Sequence, residues 1–234
     1  MNSETRQTIY MGISFIVTPM PVVDRQSFVG FQGALLSGGI EFTQAAFPVE
    51  RQIVITRGGI SPLNITITTN PPASGQLLII APQPGSDLSV FTKEAEAVVA
   101  AFDATWPAQS RQVLHSDATF RDVFEASDEH AFKELWEKRL HQTPQSLSIL
   151  QGPVLGGGLR LVMPAQQREG DRYPTQIEIK IESFLQDSHK FIIETQFTWP
   201  QPVAPGEPID PGARLAQLDR FIEKTVIPFA RGDL

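Results

Sequence analysis

The segment Thr175–Trp199 reads TQIEIKIESFLQDSHKFIIETQFTW, and its periodicity decides the fold. Ile177, Ile179 and Ile181 alternate with Glu178, Lys180 and Glu182. This is the two-residue period of a strand with one face buried and one face wet. After the polar turn Gln186–His189, Phe191, Ile193, Thr195, Phe197 and Trp199 share a face in the same way. Two such runs joined by a short polar turn predict an antiparallel hairpin, with strands over 175–185 and 190–199.

Toward the C-terminus, the proline-rich stretch 200–211 reads as an ordered connector. Asp210-Pro211 then opens a helix, with aspartate as the cap and proline at the first helical position. Leu215, Leu218, Ile222, Val226 and Phe229 line its apolar side, and Pro228 is expected to end it. Toward the N-terminus, strands are expected over 147–154 and 158–164. Between them lies GPVLGGGLR, Gly152–Arg160, in which Gly156, Gly157 and Gly158 predict a loose hairpin turn. Ser127 or Asp128 is expected to cap a helix to about His141, with Phe132, Leu135, Trp136 and Leu140 inward. A strand over 110–126 precedes it.

The first half runs in the same order. A strand over 8–18 is followed by a helix capped by Asp24, which carries Phe28, Phe31, Leu35 and Leu36 and stops at Gly38-Gly39. Strands are expected over 41–47, 50–57, 62–69 and 76–82, then a helix over 88–105 with Phe91, Ala95, Val98, Val99 and Phe102 on one stripe. The chain thus reads as an α+β protein with two copies of a β-α-β4-α unit, 1–107 and 108–234. The copies join in one curved antiparallel sheet with the two long helices on one face. This element order resembles the duplicated fold of the TATA-box-binding protein. That resemblance implies a sheet with an open concave face. In that protein the face grips the DNA minor groove through basic groups and apolar wedges. Here the outward candidates Thr66, Thr68, Glu178, Glu182, Glu194 and Gln196 are neutral or acidic, so DNA binding is not carried over.

Composition points the same way. The 234 residues carry a net charge of −7, and acidic residues outnumber basic ones on both sides of Pro107. Nucleic-acid affinity rests on Lys and Arg neutralising phosphates, which this balance disfavours. The absence of cysteine excludes disulfides, thiolate metal sites and cysteine nucleophiles. The polar start MNSETRQ lacks a signal-peptide pattern, and no apolar run approaches the ~20 residues of a membrane span. A cytoplasmic protein without membrane association is expected.

No motif for a cofactor assembles. Gly156–Gly158 lead into the strand-like LRLVM, not into a helix with GK[ST], so a phosphate cradle is disfavoured. His115-Ser116-Asp117 holds the residue types of a hydrolase triad, yet neighbours on a strand point to opposite faces. His130/Glu134 and Glu137/His141 have i,i+4 spacing suited to metal ligation, but solvated pairs explain it more cheaply. The groups to watch are therefore His115, Asp117, His130 and Glu134, which form a site only if the fold brings them together. The leading expectation is a non-catalytic binding or assembly protein that uses its open sheet face or an edge strand to engage a protein partner or itself. The alternative is a small-ligand protein or enzyme with a pocket between sheet and helices.

Overall fold

A computed structural model describes residues 1–70, 72–84, 87–107, 109, 111–127 and 130–232. In chain order, strand β1 (Asn2–Thr18) leads to helix α1 (Arg25–Ser37). Strands β2 (Gln44–Val49), β3 (Gln52–Arg57), β4 (Leu63–Asn70) and β5 (Ser74–Pro82) follow, then helix α2 (Leu88–Thr105). Strand β6 (Gln112–Glu125) precedes a short helix α3 (Ala131–Lys133) that continues as a wide helical turn over Glu134–Arg139. Strands β7 (Gly158–Gln166), β8 (Thr175–Ser183) and β9 (Lys190–Trp199) come next. Helix α4 (Pro211–Phe221) passes through a second wide turn, Ile222–Val226, into α5 (Ile227–Arg231).

All nine strands form one antiparallel sheet in the order β2-β3-β4-β5-β1-β6-β9-β8-β7. The hairpin that decides the fold is β8–β9, with Ile177 opposite Phe197 and Ile181 opposite Ile193. At the centre, β1 and β6 pair from Asn2–Glu125 to Thr18–Gln112, so strands from both halves of the chain share one sheet.

Side-chain alternation gives this sheet two unlike faces. On one, Ile13, Phe15, Ile65, Ile67, Leu77, Ile79, Phe120, Ile177, Ile179, Ile193 and Phe197 are buried. They pack against Phe31 and Leu35 of α1, Phe91, Val98 and Phe102 of α2, and Leu215 and Leu218 of α4 in one core. Helices α2 and α4 also touch, and Gly212 lies so close to Thr92 and Glu96 that a side chain there would strike Glu96. Asp24 and Asp210 form the caps the sequence implies, and Asp87 caps α2 in the same way. Asp24 accepts from the Ser27 N–H at 2.8 Å, Asp87 from the Val90 N–H at 3.1 Å, and Asp210 from the Ala213 N–H at 2.8 Å.

Several expectations are corrected. No strand forms over 147–154; Pro144–Leu150 is a tight helical turn followed by irregular chain, so three strands and not four follow α3. Its apolar run is short, and Ile149 and Leu150 stay exposed at 81% and 63%, so no buried face holds it in a sheet. The three glycines are consequently not a hairpin turn between two strands. None has a positive φ. Each is instead a close approach: a side chain at Gly156 would strike Ser183 and Leu185, at Gly157 the Phe132 ring, and at Gly158 the backbone of Ile181.

Ser127 does not cap the next helix. His130 occupies the cap position without a side-chain bond, and Asp128 lies outside the described residues. Pro228 does not end the last helix either. It follows the wide turn Ile222–Val226, which runs into α5 without a break, and the chain stays helical to Arg231.

Candidate binding face

The second face of the sheet carries no helix among the described residues, and register places its side chains in rows. One row runs from Val54 on β3 through Thr66, Leu78 and Ser14 to Asp117 on β6 and Thr198 on β9. A second runs from Thr56 through Asn64, Ile80 and Gly12 to Thr119 and Gln196. A third begins at Pro82 and passes Tyr10, Arg121 and Glu194 to Lys180 and Arg160.

These rows divide the face. The side contributed by β3, β4, β5 and β1 has no charged group in its rows. It presents Tyr10, Ile16, Val54, Leu78 and Ile80, each partly exposed, among threonine, asparagine and glutamine. Tyr10 lies flat across Gly12, where any side chain would collide with the ring, and the Arg121 guanidinium stacks 4.6 Å above it. Burial raises the Tyr10 hydroxyl pKa, against the pull of Arg121, so the ring is a neutral contact surface.

The side contributed by β6, β9, β8 and β7 is a ladder of alternating charges. Arg121 pairs with Glu194, Lys180 bridges Glu194 at 2.6 Å and Glu178 at 3.3 Å, and Arg160 clamps Glu178 with two bonds of 2.8 Å. The Arg160 hydrogen bond, with help from Lys180, holds Glu178 below its ordinary range. Burial pushes Glu194 upward, but bonds from Lys180 and Arg121 outweigh it and leave that carboxyl lowered too. Every cation of the ladder is thereby paired with a carboxylate within the face.

At the seam sits a polar cluster. His115 Nε2 lies 2.9 Å from Asp117 Oδ2, and Asp117 also accepts from Thr198 Oγ1 at 2.7 Å and from Ser14 Oγ at 3.5 Å. The fold therefore joins His115 to Asp117, two positions along one strand face. Ser116 faces the core, so no serine of that tripeptide reaches the histidine, and no hydroxyl among the described residues bonds it. The cluster orients groups; it does not assemble an activated nucleophile.

His130 and Glu134 lie elsewhere. Glu134 is buried past the far end of β6, where it accepts from the Ser127 N–H at 2.7 Å and bonds the Met1 amino group. The stretch of β6 from His115 to Glu125 alone spans roughly 33 Å at ~3.3 Å per residue. Of the four watched residues the fold thus joins only His115 and Asp117 through their side chains, and no group of three metal-ligating side chains occurs among the described residues. Tyr10, Ser14 and Arg121 are among the face residues that the sequence reading missed. Their partners lie on strands about a hundred residues away, so only register brings them together.

The fold and face define an α+β protein with an open antiparallel sheet, half neutral and half internally charge-paired. No protein-family model matches the chain, and no curated protein matches its sequence. No described helix is long and apolar enough to cross a membrane.

Proposed function

We propose that the chain is a non-catalytic binding or assembly protein that engages a protein partner, or a second copy of itself, through the open face of its sheet. The observation that carries this reading is the uncharged side of the face, where Tyr10 and Ile16 of β1, Val54 of β3, and Leu78 and Ile80 of β5 lie among the neutral polar side chains of β4 with no helix over them. Apolar groups gathered on one surface favour association, and the polar seam around Asp117 supplies orientation at its border. Nucleic acid is a poor fit, because Arg121, Arg160 and Lys180 are already paired with glutamates and have few counterions to release. A cytoplasmic location, without membrane association, completes the reading.

The proposal includes an internal duplication. Its support is the mirrored order of strands, β5-β4-β3-β2 outward from β1 and β9-β8-β7 outward from β6, with α2 packed against α4. This is the arrangement that the likeness to the TATA-box-binding protein fold implies, with one strand fewer in the second unit.

Sedimentation velocity and co-purification test the face. Leu78→Lys with Ile80→Lys places two cations in the neutral patch. The expected outcome is loss of self-association or of the retained partner, with the thermal transition preserved. A wild-type chain that stays monomeric at every concentration and retains the same proteins as the variant contradicts the proposal.

A second reading, a small ligand between sheet and helices, is favoured by one observation: a buried arginine, Arg214, in a cleft beside α4.

A further inference from the structure

Arg214, in the first turn of α4, is only 6% exposed. Its Nε donates to Ser116 Oγ at 3.0 Å and its Nη1 to the Asp210 carbonyl at 3.2 Å, both neutral acceptors. No carboxylate among the described residues forms an ion pair with it, and its Nη2 makes no hydrogen bond to them. The guanidinium is packed among three aromatic rings, with Trp199 at 5.4 Å, Phe15 at 5.7 Å and Tyr173 at 5.9 Å. A buried cation without a counter-charge is expensive, and ring faces offset only part of that cost. Burial accordingly lowers the Arg214 pKa, although Asp210 pulls it back up.

The same guanidinium lines a cleft of about 70 Å³, bordered by Arg172, Tyr173, Trp199, Glu207 and Gln217. That volume holds a few waters or one small acid group. The acids nearby are already engaged. Glu207 takes the Tyr173 hydroxyl and the Arg172 guanidinium, and Asp210 is occupied as the cap of α4. We propose that this cleft is a binding site for the carboxylate group of a monovalent acid, with Arg214 Nη2 as its donor and the body of the acid outside the cleft. A dianion such as phosphate is disfavoured, because one free guanidinium nitrogen faces it while Glu207 and Asp210 stand alongside. The site lies on the helix-covered side of the sheet and does not depend on the open face.

Calorimetric titration of the whole chain at neutral pH tests the site, with benzoate as a free acid and acetyl-phenylalanine as the mimic of a peptide C-terminus. Benzamide, acetyl-phenylalanine amide and inorganic phosphate are the controls. Saturable binding of either acid, with none of the controls, supports the proposal and identifies the source: benzoate alone means a small free acid, and acetyl-phenylalanine means a chain terminus. Arg214→Lys is expected to weaken binding about tenfold or more, since a lysine lacks the planar donor fork. Arg214 is buried, so Ala213→Glu at the exposed mouth is the second variant; it is expected to abolish binding without shifting the thermal transition. Absence of saturable acid binding to the folded wild type overturns the proposal. So does phosphate binding in preference to the acids, or unchanged binding in Ala213→Glu.

Discussion

At Gly158 a single missing methyl group decides whether two strands can meet. A Cβ there would press on the Ile181 carbonyl and the Glu182 Cα, both backbone and neither able to swing aside. Gly33, inside α1, has nothing within 4 Å of the same position. The two glycines therefore predict opposite outcomes. Gly158→Ala is expected to destabilise by about 1–3 kcal/mol through overpacking. Gly33→Ala is expected to stabilise by about 0.4–1 kcal/mol through the lost freedom of the unfolded chain. Thermal and urea unfolding of both variants checks the pair, and equal shifts of one sign would contradict it. The sequence showed three glycines in a row but not their reason. A turn glycine and a close-approach glycine look alike until the neighbour is known, and here the neighbours are Ser183, Phe132 and Ile181. Arg214 was hidden similarly: it adjoins the apolar stripe that begins at Leu215, and nothing local says that three rings will enclose it.

Among the elements, the strongly periodic ones were legible. Ile177–Ile181 and Phe191–Trp199 alternate because one face of the hairpin is buried and the other wet. The helix over 88–105 shows its stripe for the same reason. The segment 144–157 was not legible, since its short, interrupted apolar stretches fit a strand or a tight helical turn equally and no buried surface selects between them. The charged half of the face is also an element-scale feature, with a pH signature. Glu178 and Glu194 titrate below their ordinary value of 4.5 in the folded chain. The folded state thus binds fewer protons than the unfolded state just below that value. The ladder's contribution is present above about pH 4.5 and is lost as pH falls through the lowered folded values. Glu178→Gln with Glu194→Gln is expected to flatten this acid limb in urea unfolding across pH, and to remove the carboxylate partners of Arg121, Arg160 and Lys180. An unchanged limb would show that the ladder contributes nothing to stability, as exposed pairs often do.

Over the whole molecule, the sheet order turns two sequence halves into one surface. The sequence suggested the α+β class and the outward set Thr66, Thr68, Glu178, Glu182, Glu194 and Gln196, all of which lie on the open face. It could not show that the face is divided, because that division depends on the β1–β6 register, where Tyr10 meets Arg121 and Ser14 meets Asp117. Nor could it separate His115 and Asp117 from His130 and Glu134, which the length of β6 holds apart. The central claim is that the neutral side of this face is where another protein sits. Site-specific photo-crosslinking in living cells tests it most directly, with the crosslinker at Leu78 or Ile80 on the face and, as reference, at Val29 or Leu36, exposed on α1. The account predicts a discrete adduct, to a second copy or to another protein, from the face positions and none from the helix positions. No adduct from Leu78 and Ile80, or equal adducts from α1, would contradict it.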